Sequence, residues 1–488
     1  MEQIFDRPAR DLAETTFDRN VVVVAGAGTG KTTLLVNRLV HLLIKEPHPV
    51  AMTRIVALTF TNKASTEMKV RLRERLVSLT GIKEGGPQQQ GQGGAVSVAE
   101  LCERYGLTSG EIARRASSAL SDLEKAQIGT LHSFAAHLLR LYPLESGVDP
   151  VFQEDDGLRF AEHFTAAWDV WIDQELSRQG INHGLWRNLL RSTSMEELRS
   201  LTFSLCSELV ALDAIRQQVA STHVNPMLTH WWRRTGARAG ALLEAHDRPK
   251  RRKVEQMLAA TLSFMNRLVE QGTEAIQNLP DCDRDWLTKD LGTAVAGWEK
   301  ADFREASGLI KIAQQLLMVD HAFFNDLLSL ISPLIGDIRE SFARKGWLSF
   351  DGLLARARKL LLDFPSVRAR IKQEYRAVLV DEFQDTDPVQ YEIILAVSEQ
   401  QGRHVTDWQE MALEPGKLFI VGDPKQSIYA FRRADIEAFD RVVQKIEYEG
   451  GMVQTLTTNF RSDAAVLGPV NDVFDRLFEH QPLVQPAN

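Results

Sequence analysis

The 488-residue sequence predicts an α/β protein: a doubly wound parallel sheet around a phosphate-binding loop, interrupted by a large all-helical insertion. Three observations carry this reading. Four valines, Val21–Val24, run straight into the glycine-rich "AGAGTGKT" of residues 25–32. Further short apolar segments at Ile55–Phe60, Ala377–Val380 and Leu418–Val421 end in polar or glycine-containing turns, usually followed by a helical pattern, as buried parallel strands do. Residues 150–345 are instead rich in Leu, Ala, Arg and Trp at helical spacing, with no convincing strand.

The loop after the first strand fits the P-loop pattern except at Ala25, where Gly is usual. Gly28 and Gly30 permit backbone angles that turn successive N–H groups toward a phosphate, and the following helix, "TTLLVNRLVHLLIKE", brings its positive end there. Ala25, Gly26, Ala27, Gly28, Thr29, Gly30, Lys31, Thr32 and Thr33 are therefore the expected nucleotide contacts. Lys31 is expected to reach the β- and γ-phosphates, and Thr32 to give its hydroxyl to Mg²⁺. The loop alone fits kinases, transporters, GTPases and motors equally.

Downstream, "AVLVDEFQDTDPVQ" (377–390) supplies a partner for the loop. Its apolar strand ends in Asp381 and Glu382. Asp381 is expected to hold Mg²⁺ through water, and Glu382 to position or deprotonate an attacking water. An acidic pair in that place favours nucleotide hydrolysis over transfer to a small acceptor. In "LFIVGDPKQSIYAFRRAD" (418–435), Gln426 can hydrogen-bond the γ-phosphate. Tyr429 and Phe431, followed by Arg432 and Arg433, suit stacking on unpaired bases with charge beside the backbone. One turn would then touch both nucleotide and DNA.

Taken in order, "AGAGTGKT", "ALTFTNKASTEMKVRLRERL", "IGTLHSFAAHLLR", "LVDEFQDTDPVQ", "IVGDPKQSIYAFRRAD" and "LTTNFRSD" resemble the UvrD/Rep-like helicases of superfamily one, and more narrowly the RecB/AddA-type helicase subunits of recombination nucleases. "LSFDGLL" (348–354) is similar too. The resemblance implies a RecA-like motor domain that hydrolyses ATP with Mg²⁺ and moves 3′ to 5′ on single-stranded DNA. It implies that Thr59, Phe60, Thr61 and Asn62, with Thr130, His132 and Ser133, line the single-strand groove beside Tyr429, Phe431 and Arg432. It implies that Arg461 approaches the γ-phosphate, so the expected catalytic set is Lys31, Asp381, Glu382, Gln426 and Arg461. Arg10 stands near the place of the family's adenine-reading Gln, and Arg433 replaces a usual Gly.

The expected organisation is a motor domain in two main parts (1–82 and 346–450) with a DNA-groove segment at 128–149. A low-complexity loop ("KEGGPQQQGQGG", 83–94) and helical insertion fill 83–127, and the large all-helical insertion fills 150–345. Residues 451–488 are expected to start a second RecA-like domain, which is incomplete here. The chain is then expected to be a fragment, or a partner protein to supply the second motor domain or a nuclease. The competing reading is an ATP-gated single-stranded-DNA-binding module with little or no hydrolysis; a kinase or transport ATPase fits neither "SIYAFRR" nor the groove blocks.

Composition bounds these readings. Hydrophobic residues at 44% and charged residues at 25% are ordinary for a globular protein. No apolar run nears the ~20 residues that span a bilayer, so no membrane is expected. Cys102, Cys206 and Cys282 lie too far apart for a CxxC site or a disulfide framework, and the polar, acidic N-terminus is unlike a secretory signal, so a cytoplasmic setting is expected. Net charge is −8, so any DNA site must be a local groove rather than a basic surface.

Overall fold

A computed structural model describes residues 5–45, 47–81, 96–177, 180–220, 226–246, 253–292, 298–428 and 436–478. The described chain forms two compact units, one from Met1–Gly157 with Ala343–Asn488 and one from Leu158–Phe342.

Among the described residues the strands all lie in the first unit. They are β1 (Val21–Ala25), β2 (Ile55–Thr59), β3 (Gln127–Thr130), β4 (Gln153–Asp155), β5 (Trp347–Ser349), β6 (Ala377–Val380), β7 (Leu418–Gly422) and β8 (Met452–Leu456). Six of them form one parallel sheet in the order β3-β2-β6-β7-β1-β8. β2, β6 and β7 are buried along their whole length, which is why their sequences are continuous apolar runs rather than alternating ones. Helix α1 (Arg7–Thr15) is followed by β1, and helices α2 (Lys31–Ile44) and α3 (Asn62–Thr80) follow β1 and β2. α2 buries Leu34, Leu35, Leu39, Val40 and Ile44 in a core shared with Val21, Val23, Ile55, Ala57, Leu379, Phe419 and Val421. The buried guanidinium of Arg38 on α2 donates to the carbonyls of Ala13 at 2.5 Å and Thr16 at 2.8 Å, fastening α1 to the sheet layer.

Strand-to-helix turns on the C-terminal edge carry their own stop and start signals. Thr61 accepts from the Ala64 amide to cap α3, and Gly81 (φ 73°) ends it. Thr130 accepts from the Ser133 amide to cap the helix Leu131–Leu141. The segment 451–456, expected to open a second domain, instead completes this sheet. β8 pairs with β1 from Val21↔Met452 to Ala25↔Leu456. The block's position in the family pattern suggests a new domain, whereas the ladder joins it to the strand that leads into the phosphate loop.

A second difference lies at the insertion boundary. β4 and β5 pair in parallel within the first unit, so the second unit starts at Leu158 rather than at 150. Three-residue strands are too short to show a period in sequence. Described residues of the second unit are helical, around two separate apolar clusters. One gathers Phe164, Trp168, Trp186, Leu198, Ile331 and Ile335; the other gathers Trp232, Met257, Phe264, Leu287, Leu309 and Ile310. The stretch 83–94 lies outside the described residues. Among those described, no helix is long and apolar enough to cross a membrane, and Cys102, Cys206 and Cys282 are free.

Candidate active site

Strand ends converge at the C-terminal edge of the sheet. β7 lies between β1 and β6, so the turn after β7 falls between the glycine loop and the acidic pair. In the loop, Ala25 is the last, buried residue of β1. Thr29 closes a tight turn by donating its hydroxyl to the Gly26 carbonyl at 2.8 Å. Gly28 and Gly30 take φ of 75° and 84°, a region closed to most side chains. Gly30 is the N-cap of α2 and no side chain caps that end, so its first amides face the loop interior. Lys31, Thr32 and Thr33 form the first turn and are partly buried.

The block 459–461 packs on this loop. Asn459 donates Nδ2 to the Ala27 carbonyl at 2.9 Å, and the Phe460 amide donates to the Gly28 carbonyl at 2.8 Å. A Cβ on Gly28 would lie 2.7 Å from both Asn459 Oδ1 and Arg461 Cβ. Glycine is thus required there twice over, by backbone angle and by close approach. Arg10 also reaches the loop: its guanidinium sits 5.0 Å from the Phe460 ring and pairs with Asp6 at 2.8 Å and 2.9 Å. Burial pushes Asp6 up, but Arg10 and the amides of Thr458 and Thr457 outweigh it and hold the carboxyl at about 2.

Opposite the loop, Lys31 Nζ donates to Glu382 Oε2 at 2.6 Å. Glu382 is the one described non-glycine residue with positive φ, 51°. Such a conformation costs about 1–3 kcal/mol and gathers at functional sites. Asp381 is buried at the end of β6, accepting from the Glu382 amide at 3.0 Å. Burial, then the Glu382 charge, push its carboxyl up to about 7. The same two causes push Asp385 up to about 6, and its Oδ1 is buried with no hydrogen-bond partner. Gln426 turns its amide onto Asp423 Oδ2 at 2.5 Å, and Asp423 lies beside Gly26.

These groups suit a magnesium nucleotide. Asp381 is a buried carboxylate short of positive charge, and Thr32 stands in the first turn of the helix that leaves the loop. Among the described residues no three His, Cys, Asp or Glu side chains cluster to hold a metal by themselves. Magnesium typically takes one or two carboxylates and completes its shell with water and substrate phosphate.

The UvrD/REP helicase N-terminal domain matches this sequence over residues 7–447. The chain belongs to the UvrD/REP helicase family. It is similar to the ATP-dependent helicase/nuclease "A" subunits of Listeria monocytogenes (24% identical) and of Streptococcus sanguinis (25%), over 94% and 98% of this chain. It is also 25% identical, over 93% of its length, to the RecBCD enzyme subunit RecB of Escherichia coli. The chain spans 38%, 40% and 38% of those relatives' own lengths.

Within this UvrD/REP unit the expected groove residues share one edge of the sheet. Thr59 and Thr130 face each other in the β2–β3 register. Their polar groups are largely engaged locally: the Thr59 hydroxyl donates to the Thr61 carbonyl at 2.9 Å, and Ser133 donates to the Thr130 carbonyl at 2.7 Å. Thr61 and Asn62 are exposed, and Phe60 is partly buried. His132 packs edge-on against Phe350, and burial lowers its pKa. Tyr429, Phe431 and Arg432 lie outside the described residues.

Sequence reasoning passes over Gln384, Asp423 and the side chain of Asn459, which bind the site's elements together. Asp423 and Gln384 sit inside the motif blocks, yet nothing in their local pattern announces a partner.

Proposed function

We propose that this UvrD/REP chain is the ATP-hydrolysing motor segment of a DNA helicase subunit that translocates 3′ to 5′ on single-stranded DNA in the cytoplasm. The observation that carries the reading is the Lys31–Glu382 pair beneath an uncapped helix start, with Asp381 on one side and Arg461 over Gly28. A substrate γ-phosphate competes with Glu382 for Lys31. The released carboxylate then orients the attacking water, while Gln426 and Arg461 stabilise charge on the phosphoryl group. Thr32 and Asp381 would hold Mg²⁺, which would supply neutralisation of phosphate charge. The exposed Phe460 ring beside Arg10 offers a face for the adenine base.

Thr59 to Asn62, with Thr130, His132 and Ser133, form our candidate DNA groove, continued by Tyr429, Phe431 and Arg432. One relative is named as a helicase/nuclease subunit and another as a subunit of the RecBCD enzyme, which supports a partner protein for this chain as well. The helix Ala464–Phe478 leaves Val466, Val470 and Val473 exposed, a stripe suited to packing under a second motor domain.

The test is steady-state ATP hydrolysis with and without oligo-dT, beside Glu382→Gln. The motor reading requires DNA-stimulated turnover that the substitution lowers by roughly 10²–10³. Tight ATP and DNA binding without turnover would instead favour an ATP-gated binding module.

A further inference from the structure

Gln384 joins the two halves of the site described above. It sits on the short turn Phe383–Asp385 after the acidic pair and is 1% exposed. Its amide is used from both ends. Nε2 donates to Glu382 Oε2 at 2.9 Å, the same oxygen that Lys31 holds at 2.6 Å. Oε1 accepts from the Asp423 amide at 2.9 Å. The Gln384 carbonyl accepts from the Ser427 hydroxyl at 3.2 Å, a second tie to the turn after β7. That turn approaches so closely that a Cβ on Gly422 would lie 2.8 Å from Gln384 Oε1.

The bonds form one line: Lys31 to Glu382, Glu382 to Gln384, Gln384 to Asp423, and Asp423 Oδ2 to Gln426. The Gln384 primary amide donates at one end of this line and accepts at the other. When a phosphate takes Lys31, the Gln384 bond still holds the Glu382 carboxylate against the turn. A shift of the 423–427 turn therefore moves the Asp423 amide, and through the buried Gln384 amide it re-aims Glu382.

We propose that Gln384 is the positioning residue that couples the turn after β7 to the Glu382 carboxylate, so that DNA stimulation of hydrolysis passes through its side-chain amide. The inference rests on the motor reading given above. Gln384 is buried and acts through Glu382.

The experiment measures kcat and KM for ATP, with and without oligo-dT, in the parent and in Gln384→Met and Gln384→Glu. Met keeps the volume and loses both bonds. Glu, when ionised, keeps an acceptor for the Asp423 amide, loses the donor to Glu382 and sets a like charge beside it. The expected result is a KM for ATP within about threefold of the parent and DNA-stimulated kcat lowered by roughly 10- to 100-fold in both variants, a clearly larger loss than in the DNA-free rate. In a Glu382→Gln background, Gln384→Met is expected to add almost nothing. Parallel losses of basal and stimulated rates, with a lowered melting temperature, would overturn the coupling role in favour of a structural one. A parent stimulated by DNA together with variants stimulated to the same ratio would overturn it while leaving the motor reading standing. A parent without turnover in any condition would overturn both.

Discussion

Two glutamate–lysine pairs lie at opposite ends of the same sheet. Lys31 and Glu382 meet at the C-terminal edge, 2.6 Å apart, with side chains 11% and 32% exposed. Lys372 and Glu399 meet near the N-terminal ends of β6 and β7, 2.9 Å apart, with side chains 1% and 0% exposed. The second pair is saturated. Lys372 also donates to the carbonyls of Gln400 and Arg403, and Glu399 also accepts from Arg368 and from the Val405 amide. The first pair stands open beside glycines at positive φ and a helix end without a side-chain cap. A closed ion pair fastens chain segments together; an open one is a place where a ligand can exchange with a side chain.

The sharpest way to break this comparison is to remove one charge from each pair. Glu399→Gln leaves Arg368 and Lys372 buried and uncompensated, and is expected to cost about 3–5 kcal/mol in denaturant unfolding. Lys31→Met removes a part-exposed pair and is expected to cost at most about 1 kcal/mol, while ATP hydrolysis falls by roughly 10²–10³. Equal destabilisation by both substitutions would mean that the two pairs differ in position only.

Much of the open end is legible in the sequence, and the closed end is not. The loop 25–32 and the acidic pair announce themselves because each lies within a few residues of the apolar strand that presents it. Gln384 and Asn459 do not, since the Asp423 amide and the Ala27 carbonyl that they bond are 39 and 432 residues away in the chain. Glu399, Lys372 and Arg368 belong to the same class: three charged residues on or beside ordinary helices, whose burial is decided by tertiary packing. The segment of β8 is readable as the approach to a motif, but its neighbour in the sheet is set by pairing with β1, which no local pattern encodes. The order of motifs along the chain therefore outlines the chemistry, while the contacts that bind the motifs to one another emerge only in the fold.

Gly28 sharpens the comparison within the open end itself. Alanine there is held at φ 75° and meets Asn459 and Arg461 at 2.7 Å. The backbone cost is about 1–2 kcal/mol. Moving Arg461 off the loop is expected to lower hydrolysis by about 10²-fold. Gly81→Ala is the control. It shares the positive φ, at 73°, but a Cβ there meets nothing within 4 Å. It is expected to lose a similar stability and no activity. If the two alanine variants lose activity equally, backbone strain rather than the Arg461 approach is responsible.

Glu14 provides the mildest case, a half-buried carboxyl that is neither open to ligand nor closed by a cation. Burial pushes it up to about 7, against the hydrogen bond that Asn37 Nδ2 donates to Oε1 at 3.0 Å. The unfolded chain releases this proton near the ordinary value of 4.5. Between those two values the folded state holds more protons than the unfolded one, so stability falls as pH rises through the window and levels above it. Glu14→Gln keeps an oxygen for Asn37 and removes the titration. Its stability gain over the parent is expected to be smallest near pH ~5 and to reach on the order of 1–3 kcal/mol near pH ~8. Denaturant unfolding at both values checks this, and a gain that does not grow with pH would mean that Glu14 stays ionised in the fold. In that case Asn37 would compensate a lone buried charge as fully as Lys372 and Arg368 compensate Glu399.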